Sequence, residues 1–222
     1  MKESIKKKTL RLQSIYQKLI DKYPEVECAL LYTTPFELLI ATILSAQCTD
    51  ARVNMVTPKL FNRFPDVFAL ADATLEELES IIYSTGFYKA KSANIIACCK
   101  SLVENYQGNI PKSIEELQSL AGVGRKTANV VLGNAFGINA GITVDTHVKR
   151  VMSLLGITTS QNAEIVEREL MKIIYQDEWT NFTHRIIAHG RETCIARRPK
   201  CNDCILNTQC FHATNLKGKS TQ

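Results

Sequence analysis

The sequence predicts an all-α protein of about ten helices, and three observations support that fold class. Apolar residues recur at the three- and four-residue spacing of an amphipathic helix over most of the chain. No segment shows the sustained alternation of apolar and polar residues that is typical of a half-buried strand. Residues that cap helix N-termini precede several of the apolar-periodic stretches.

The helices follow one another along the chain. The first has an apolar face formed by Ile5, Leu12, Ile15, Tyr16, Leu19 and Ile20. Pro35 suits the first helical position before FELLIATILSA, whose nearly continuous apolar character indicates burial. Thr74 with Glu77, and Ser113 with Glu116, match a capping box. Further helices are predicted over residues 89–106, 125–136, 146–155, 163–174 and 181–192.

Composition restricts the class of protein. The 222 residues are 45% hydrophobic and 22% charged, as in an ordinary globular protein with one large domain or two small ones. No apolar run is long enough to span a bilayer, and the basic N-terminus lacks the apolar region of a secretory signal, so a cytoplasmic location is expected. A net charge of +5 permits a polyanionic partner, but charge alone favours a merely solvated surface. The polar tail after Phe211 is predicted to be frayed.

The eight cysteines fall into two groups. Four of them form a Cys-x6-Cys-x2-Cys-x5-Cys pattern typical of a metal site: Cys194, Cys201, Cys204 and Cys210. Zinc ribbons usually have two close cysteine pairs and this pattern has one, which favours iron–sulfur only weakly and leaves zinc open. The others are interpreted as small buried apolar residues: Cys28, Cys48, Cys98 and Cys99.

The segment LAGVGRKTANVVLG, residues 120–133, indicates two helices joined by a tight turn. Glycine at Gly122 and Gly124 allows positive φ and close approach of another backbone. The amides of the turn and of the next helix would then form an anion site for a DNA phosphate, with Arg125 and Lys126 adding positive charge. The alternative is a plain helix–turn–helix joint with a glycine C-cap.

This segment resembles the helix–hairpin–helix DNA glycosylases, whose signature is close to L-P-G-V-G-x-x-T-A. Ala121 replaces the usual proline, which makes the turn less rigid. A lysine at the position of Lys126 is typical of the endonuclease III branch, which also cleaves the DNA backbone. The resemblance therefore implies that Lys126 attacks the sugar C1′ as a neutral amine, a form favoured by Arg125 and the helix N-terminus. The alternative is a surface lysine that contacts phosphate.

A single aspartate follows in ITVDTHVKR. Asp145 stands at the N-cap of the predicted helix 146–155. The resemblance places the family's essential aspartate here, where a carboxylate stabilises positive charge on the deoxyribose or helps Lys126 lose its proton. The alternative is a purely structural cap.

Two further features carry the resemblance. The four-cysteine spacing matches the [4Fe–4S] loop of endonuclease III and its adenine glycosylase relatives, so the resemblance implies that cofactor. Arg197, Arg198 and Lys200 lie between the first two cysteines and would clamp phosphate or compensate the charge of the cluster.

The segments LSAQCTD and STGFYKAKS complete the resemblance. It implies that Gln47 bonds the orphaned base after the damaged nucleotide is flipped out, and that Phe87 wedges into the gap. The alternatives are a solvent-facing helix end and a core aromatic residue. Lys89 and Lys91 are interpreted as phosphate contacts or as a solvated helix start.

The resemblance implies two helical lobes, one at residues 28–138 and the other at 1–27 plus 139–222, with Lys126 and Asp145 facing each other across a DNA-binding cleft. It implies a monomeric glycosylase and AP lyase that acts on oxidised or ring-saturated pyrimidines and abasic sites in duplex DNA. The alternatives are a different base specificity on this scaffold, such as mismatched or oxidised purines, and a DNA-binding or redox-sensing module without catalysis.

Overall fold

The structure, a computed structural model, describes residues 3–219, with side chains described to residue 215, and these residues form helices and no strand. The predicted all-α class is confirmed. The α-helices are α1 (Ile5–Lys22), α2 (Pro35–Leu44), α3 (Asp50–Arg63), α4 (Val67–Ala71), α5 (Leu75–Ile82), α6 (Tyr88–Tyr106), α7 (Ile114–Gln118), α8 (Arg125–Phe136), α9 (Thr146–Leu154), α10 (Ala163–Met171), α11 (Trp179–Glu192) and α12 (Phe211–Lys219). Short 3-10 helices occupy Tyr83–Thr85, Gln176–Glu178 and Asn207–Gln209.

The chain divides into two compact units, and the first is the continuous segment Cys28–Ala140. Helix α2 lies at the centre of its core, where every residue from Phe36 to Leu44 except Glu37 is buried. It packs against α3, α6 and α8, while α6 also packs against α4 and α5. Because α2 is enclosed on nearly all sides, it carries apolar residues all round rather than on one face.

The second unit is formed by the described residues before Cys28 and after Ala140. Helix α1 packs on α11, and α9 packs on the same helix around a core that includes Leu12 and Phe182. Arg185 of α11 is buried, and its guanidinium donates to the Tyr16 hydroxyl at 2.7 Å and the Glu178 carboxylate at 2.9 Å. This buried polar network satisfies the guanidinium and ties α1 to α11.

The capping residues start the helices as the sequence indicates. The Thr74 hydroxyl accepts from the Glu77 amide at 3.2 Å, and the Ser113 hydroxyl accepts from the Glu116 amide at 3.4 Å. Within the described residues, the Glu77 and Glu116 carboxylates make no return bond to the cap amides. Glu77 pairs instead with Arg63, and the Ser113 hydroxyl donates to Glu115.

Three expectations were wrong in part. Helix α10 ends at Met171 rather than at residue 174. The segment after Phe211 is helical to Lys219, and the Phe211 ring is held by Arg11, whose guanidinium lies 4.4 Å from its centroid; the remainder of the tail lies outside the described residues. Cys98 and Cys99 are fully buried as predicted, whereas Cys28 and Cys48 are only half-buried at the edge of the first core.

In the part of the chain that the structure describes, no helix has both the length and the apolar character needed to cross a membrane.

Candidate functional site

The glycine turn between α7 and α8 is fixed from both sides by buried residues. Leu120 and Val123 are buried in the first core, and the Val123 amide donates to the Leu120 carbonyl at 3.1 Å. Gly122 lies between them with a φ of 76°, and a Cβ added there would lie 3.0 Å from Cβ of Asn94. Position 122 therefore requires glycine for both backbone conformation and space.

Gly124 has a different role from Gly122. Its φ is −86°, which any residue adopts, and an added Cβ would meet nothing within 4 Å. The expectation that both glycines use positive φ is thus correct only for Gly122. Gly124 is exposed at the N-cap of α8, so the absence of a side chain there leaves the start of the helix accessible from outside.

The N-terminus of α8 has no capping side chain. Its first helical hydrogen bond is donated by the Ala128 amide to the Gly124 carbonyl at 3.0 Å, so the preceding amides of the first turn have no helical acceptor. In contrast, side chains cap α1 to α5, α7, α9 and α10. An uncapped, accessible helix N-terminus carries a partial positive charge that suits an anion such as a phosphate.

Lys126 is the second residue of α8 and is exposed. Among the described residues its ammonium group has no hydrogen-bond or ion-pair partner. Arg125 beside it is half-buried. An amine with no internal partner, at the positive end of a helix, is available to contact a substrate.

Asp145 caps α9 as the sequence predicts. Its Oδ1 accepts from the Val148 amide at 2.7 Å, and its backbone is extended. Its side chain is half-buried, and Oδ2 makes no hydrogen bond within the described residues. The carboxylate is therefore held in place through one oxygen while the other oxygen is left for a second role.

Gln47 and Phe87 share an unusual backbone conformation. Gln47 follows α2 with a φ of 53°, and Phe87 precedes α6 with a φ of 49°. Positive φ is uncommon for residues other than glycine, and it disfavours most side chains. Phe87 is 64% exposed, so the core-aromatic alternative is wrong, and Gln47 is exposed as well. Lys89 is also exposed.

The cysteine loop, residues 194–210, follows α11 and is hydrogen-bonded back to the end of that helix. The Cys194 amide donates to the His189 carbonyl at 2.8 Å, and the Lys200 amide donates to the Thr193 carbonyl at 2.9 Å. The Leu206 amide points at Cys204 Sγ, 3.4 Å away. All four cysteines are half-buried and line one void, together with Val151, Leu154, Leu155 and Leu206. This void encloses about 380 Å³ outside the protein atoms, part of it open to solvent.

The donor set of this void fits a metal site, because four thiols line it and thiolates are ligands for both zinc and iron–sulfur clusters. Within the described residues, no three His, Cys, Asp or Glu side chains are placed to hold one metal ion.

Three of the four thiols lie in surroundings that disfavour their free anionic form. Burial raises the pKa of Cys194 to about 11, and burial also raises the pKa of Cys201 and Cys204. Metal binding to these sulfurs would therefore release protons. Arg197, Arg198 and Lys200 all point to solvent from the same loop.

Comparison with known families gives an independent result. A sequence model of the HhH-GPD superfamily, described as base excision DNA repair proteins, matches residues 40–176. The chain belongs to this superfamily. The matched segment contains Gln47, Phe87, Lys126 and Asp145, and it ends before the cysteine loop.

Relatives within the HhH-GPD superfamily share most of the chain. Endonuclease III of Synechocystis sp. is 52% identical over 207 residues, 93% of this chain and 93% of that protein. Endonuclease III of Bacillus subtilis is 43% identical, over 90% and 91%, and that of Escherichia coli K12 is 41% identical, over 91% and 95%.

Solved structures of endonuclease III are similar to this chain in fold. A non-covalent endonuclease III–DNA complex superposes with a TM-score of 0.90 at 42% identity, covering 95% of this chain and 98% of that chain. A trapped endonuclease III–DNA covalent intermediate gives 0.88 at 43% identity, covering 93% and 98%. A thermostable thymine-DNA glycosylase at 19% identity gives 0.83, which shows that the HhH-GPD fold is shared.

Lys91 is buried, unlike Lys89. Its side chain is 5% exposed, so the interpretation of this residue as a phosphate contact or solvated helix start was wrong. A signal for burial was present, because Lys91 is in helical register with Ile95, Cys98 and Leu102 on the buried face of α6.

Proposed function

We propose that this HhH-GPD protein is a bifunctional DNA glycosylase and AP lyase that removes oxidised or ring-saturated pyrimidines, such as thymine glycol, from duplex DNA. The observation that carries the proposal is the exposed, unpaired Lys126 at the uncapped N-terminus of α8. It is supported by the solved structure of a 43% identical endonuclease III trapped covalently on DNA.

Lys126 supplies the nucleophile. Its neutral amine donates an electron pair to the deoxyribose C1′, and the glycosidic bond breaks as the base leaves with the bonding electrons and takes up a proton. Loss of the ring oxygen from C1′ gives the protonated Schiff base. Removal of a C2′ proton then expels the 3′ phosphate oxygen by β-elimination, which cuts the strand 3′ to the lesion.

Asp145 stabilises the positive charge that develops on the deoxyribose while the base departs. The hydrogen bond from the Val148 amide to Oδ1 fixes the carboxylate in advance, so little reorganisation accompanies the reaction. The free Oδ2 suits this electrostatic role.

DNA is bound through its phosphates. The accessible amides at the start of α8 bind one phosphate, and Arg125 adds charge beside them. The exposed Arg197, Arg198 and Lys200 of the cysteine loop bind the backbone elsewhere. Gln47 and Phe87 occupy the space left by the flipped nucleotide. The protein acts as a monomer in the cytoplasm, associated with the nucleoid through its DNA affinity.

Cys194, Cys201, Cys204 and Cys210 hold a [4Fe–4S] cluster. When bound, the cluster cross-links a loop that has little core of its own, and the proposed reaction includes no redox step. The loop then presents its three cations to DNA as a rigid unit.

Borohydride trapping tests the proposed function. Incubation with duplex DNA that carries thymine glycol or an abasic site, in the presence of sodium borohydride, is expected to give a covalent protein–DNA product, because borohydride reduces the Schiff base. Absence of that product on these substrates and on duplexes with an oxidised or mismatched purine would refute the lysine mechanism. Trapping on a purine duplex but not on the thymine glycol duplex would instead support the alternative base specificity.

Cys204→Ser is expected to lower the yield of folded protein and its iron content, because metal binding is coupled to folding of the loop. The unmodified protein should contain about four iron and four sulfide per chain. Cys28→Ser removes a half-buried thiol outside the loop and should leave both values unchanged. A fully active protein that contains one zinc per chain would contradict the cluster assignment.

The two glycines of the hairpin are expected to respond in opposite ways. Gly124→Leu should weaken binding to all duplex sequences about equally while the protein stays folded, since a Cβ added there meets no protein atom within 4 Å and the side chain would cover the α8 amides. Gly122→Ala should instead lower the free energy of unfolding by about 1 kcal/mol or more, because of positive φ and the Asn94 contact. Fluorescence anisotropy with two unrelated duplexes, together with urea unfolding, measures both effects. A change of sequence preference in Gly124→Leu would contradict a phosphate contact.

A further inference from the structure

Lys91 is a buried cation in the first unit. Its side chain is on the buried face of α6. Its ammonium group donates to the Leu44 carbonyl at 2.7 Å and to the Thr85 carbonyl at 2.9 Å. Burial of an ammonium group is costly unless its charge is compensated by acceptors. The buried Lys91 ammonium group therefore depends on these two carbonyl acceptors.

Both acceptors lie at the ends of helices. Leu44 is the last residue of α2, and Thr85 is the last residue of the 3-10 helix Tyr83–Thr85. Carbonyls in the last turn of a helix have no partner within the helix and carry a partial negative charge. One ammonium group therefore satisfies both helix ends and joins two segments that are remote in sequence.

Each of these helix ends leads directly into a turn with unusual backbone geometry. Leu44 is followed three residues later by Gln47 with a φ of 53°, and Thr85 is followed two residues later by Phe87 with a φ of 49°. Residues in such sparsely populated conformations persist only when the surrounding structure holds them, and they often mark functional positions. The Lys91 ammonium group is bonded to the two helix ends from which these turns start.

We propose that Lys91 is a positioning residue whose ammonium group holds the Gln47 turn and the Phe87 turn in the exposed geometry from which both side chains enter a DNA duplex. This inference rests on the proposed function, because it concerns how the gap-filling residues are presented. A single cation fixes the positions of both turns relative to α6, so the two side chains approach the duplex in one preformed arrangement.

Lys91→Met tests the proposal, since methionine retains the apolar stem and removes the ammonium donor. Base release is measured on duplex DNA with thymine glycol, where a gap must be filled. Strand cleavage is measured in parallel at an abasic site carried on a one-nucleotide bulge, where no opposite base is orphaned. We expect a loss of about tenfold to hundredfold in base release, because a small displacement of positioning groups has effects of that size. Cleavage at the bulge should change by less than about twofold on the same reasoning.

A matched control and a double-mutant cycle separate positioning from general stability. Lys100→Met removes an exposed cation from the same helix and should not alter the ratio of the two rates. In a protein that already carries Gln47→Ala and Phe87→Ala, adding Lys91→Met should have little further effect on base release, since Lys91 would act through those side chains.

The outcomes are distinct. If Lys91→Met lowers both rates in proportion to the folded fraction, or multiplies the loss in the Gln47→Ala/Phe87→Ala background, Lys91 is only structural and the inference is wrong. If Lys91→Met does not fold, Lys91→Gln, which keeps a shorter donor, is used and the same ratio decides. If the unmodified protein forms no borohydride-trapped product, the proposed function fails instead, whatever the ratio in the variants.

Discussion

Lys126→Gln is expected to abolish base release and borohydride trapping while the protein still binds damaged duplex DNA. Glutamine is similar in length but has no amine that can form a Schiff base. Binding should weaken by no more than one phosphate contact, because Lys126 has no internal partner and its removal leaves the fold undisturbed. The measurements are single-turnover base release, trapping, and affinity for a thymine glycol duplex.

Lys126→Arg distinguishes the nucleophile from a phosphate contact at the same position. Arginine keeps the positive charge at the start of α8 but remains protonated and cannot attack C1′. It should bind DNA more tightly than Lys126→Gln and be equally inactive. Activity restored by arginine would mean that Lys126 only contacts phosphate, and trapping retained by Lys126→Gln would place the nucleophile elsewhere. Lys100→Gln, which removes an exposed cation from α6, serves as the control for loss of charge.

Asp145→Asn is expected to slow release of an intact damaged base on the order of 10²-fold or more, as for removal of other preorganised electrostatic groups. Asparagine is as good an N-cap as aspartate, so the bond from the Val148 amide can be retained and stability should change little. Asp145→Ala also loses the cap and should unfold more easily by about 1 kcal/mol.

The substrate dependence of Asp145→Asn is the sharper measurement. An abasic site already has an aldehyde after ring opening, so no glycosidic bond has to be broken and less charge develops on the sugar. The variant should therefore keep more activity on abasic DNA than on DNA with thymine glycol. Asp66→Asn changes the N-cap of α4, where Oδ1 accepts from the Ala69 amide at 2.8 Å, and should alter neither activity. If Asp145→Asn were equally active on both substrates, Asp145 would be only a structural cap.

The sequence predicted those features that depend on residues close together in the chain. Apolar periodicity and capping residues predicted the helices, because both signals depend only on residues within about four positions of each other. Asp145 was recognisable as an N-cap for the same reason, and its amide partner is only three residues away. The segment from Leu120 to Gly133 indicated the tight turn before α8, and the spacing of the four cysteines led to the prediction of a metal site.

Other features of the site were decided by tertiary packing. Periodicity does not reveal that Gly122 needs positive φ whereas Gly124 does not, because the Asn94 contact comes from another helix. Nor does it show that Phe87 points outward. Lys91 binds a carbonyl that lies 47 positions earlier in the chain, and only the packing of α6 against the end of α2 brings the two together. The sequence does not show whether such a lysine bonds a DNA phosphate or a buried carbonyl. Which of the two it bonds depends on the acceptors that the fold places within its reach.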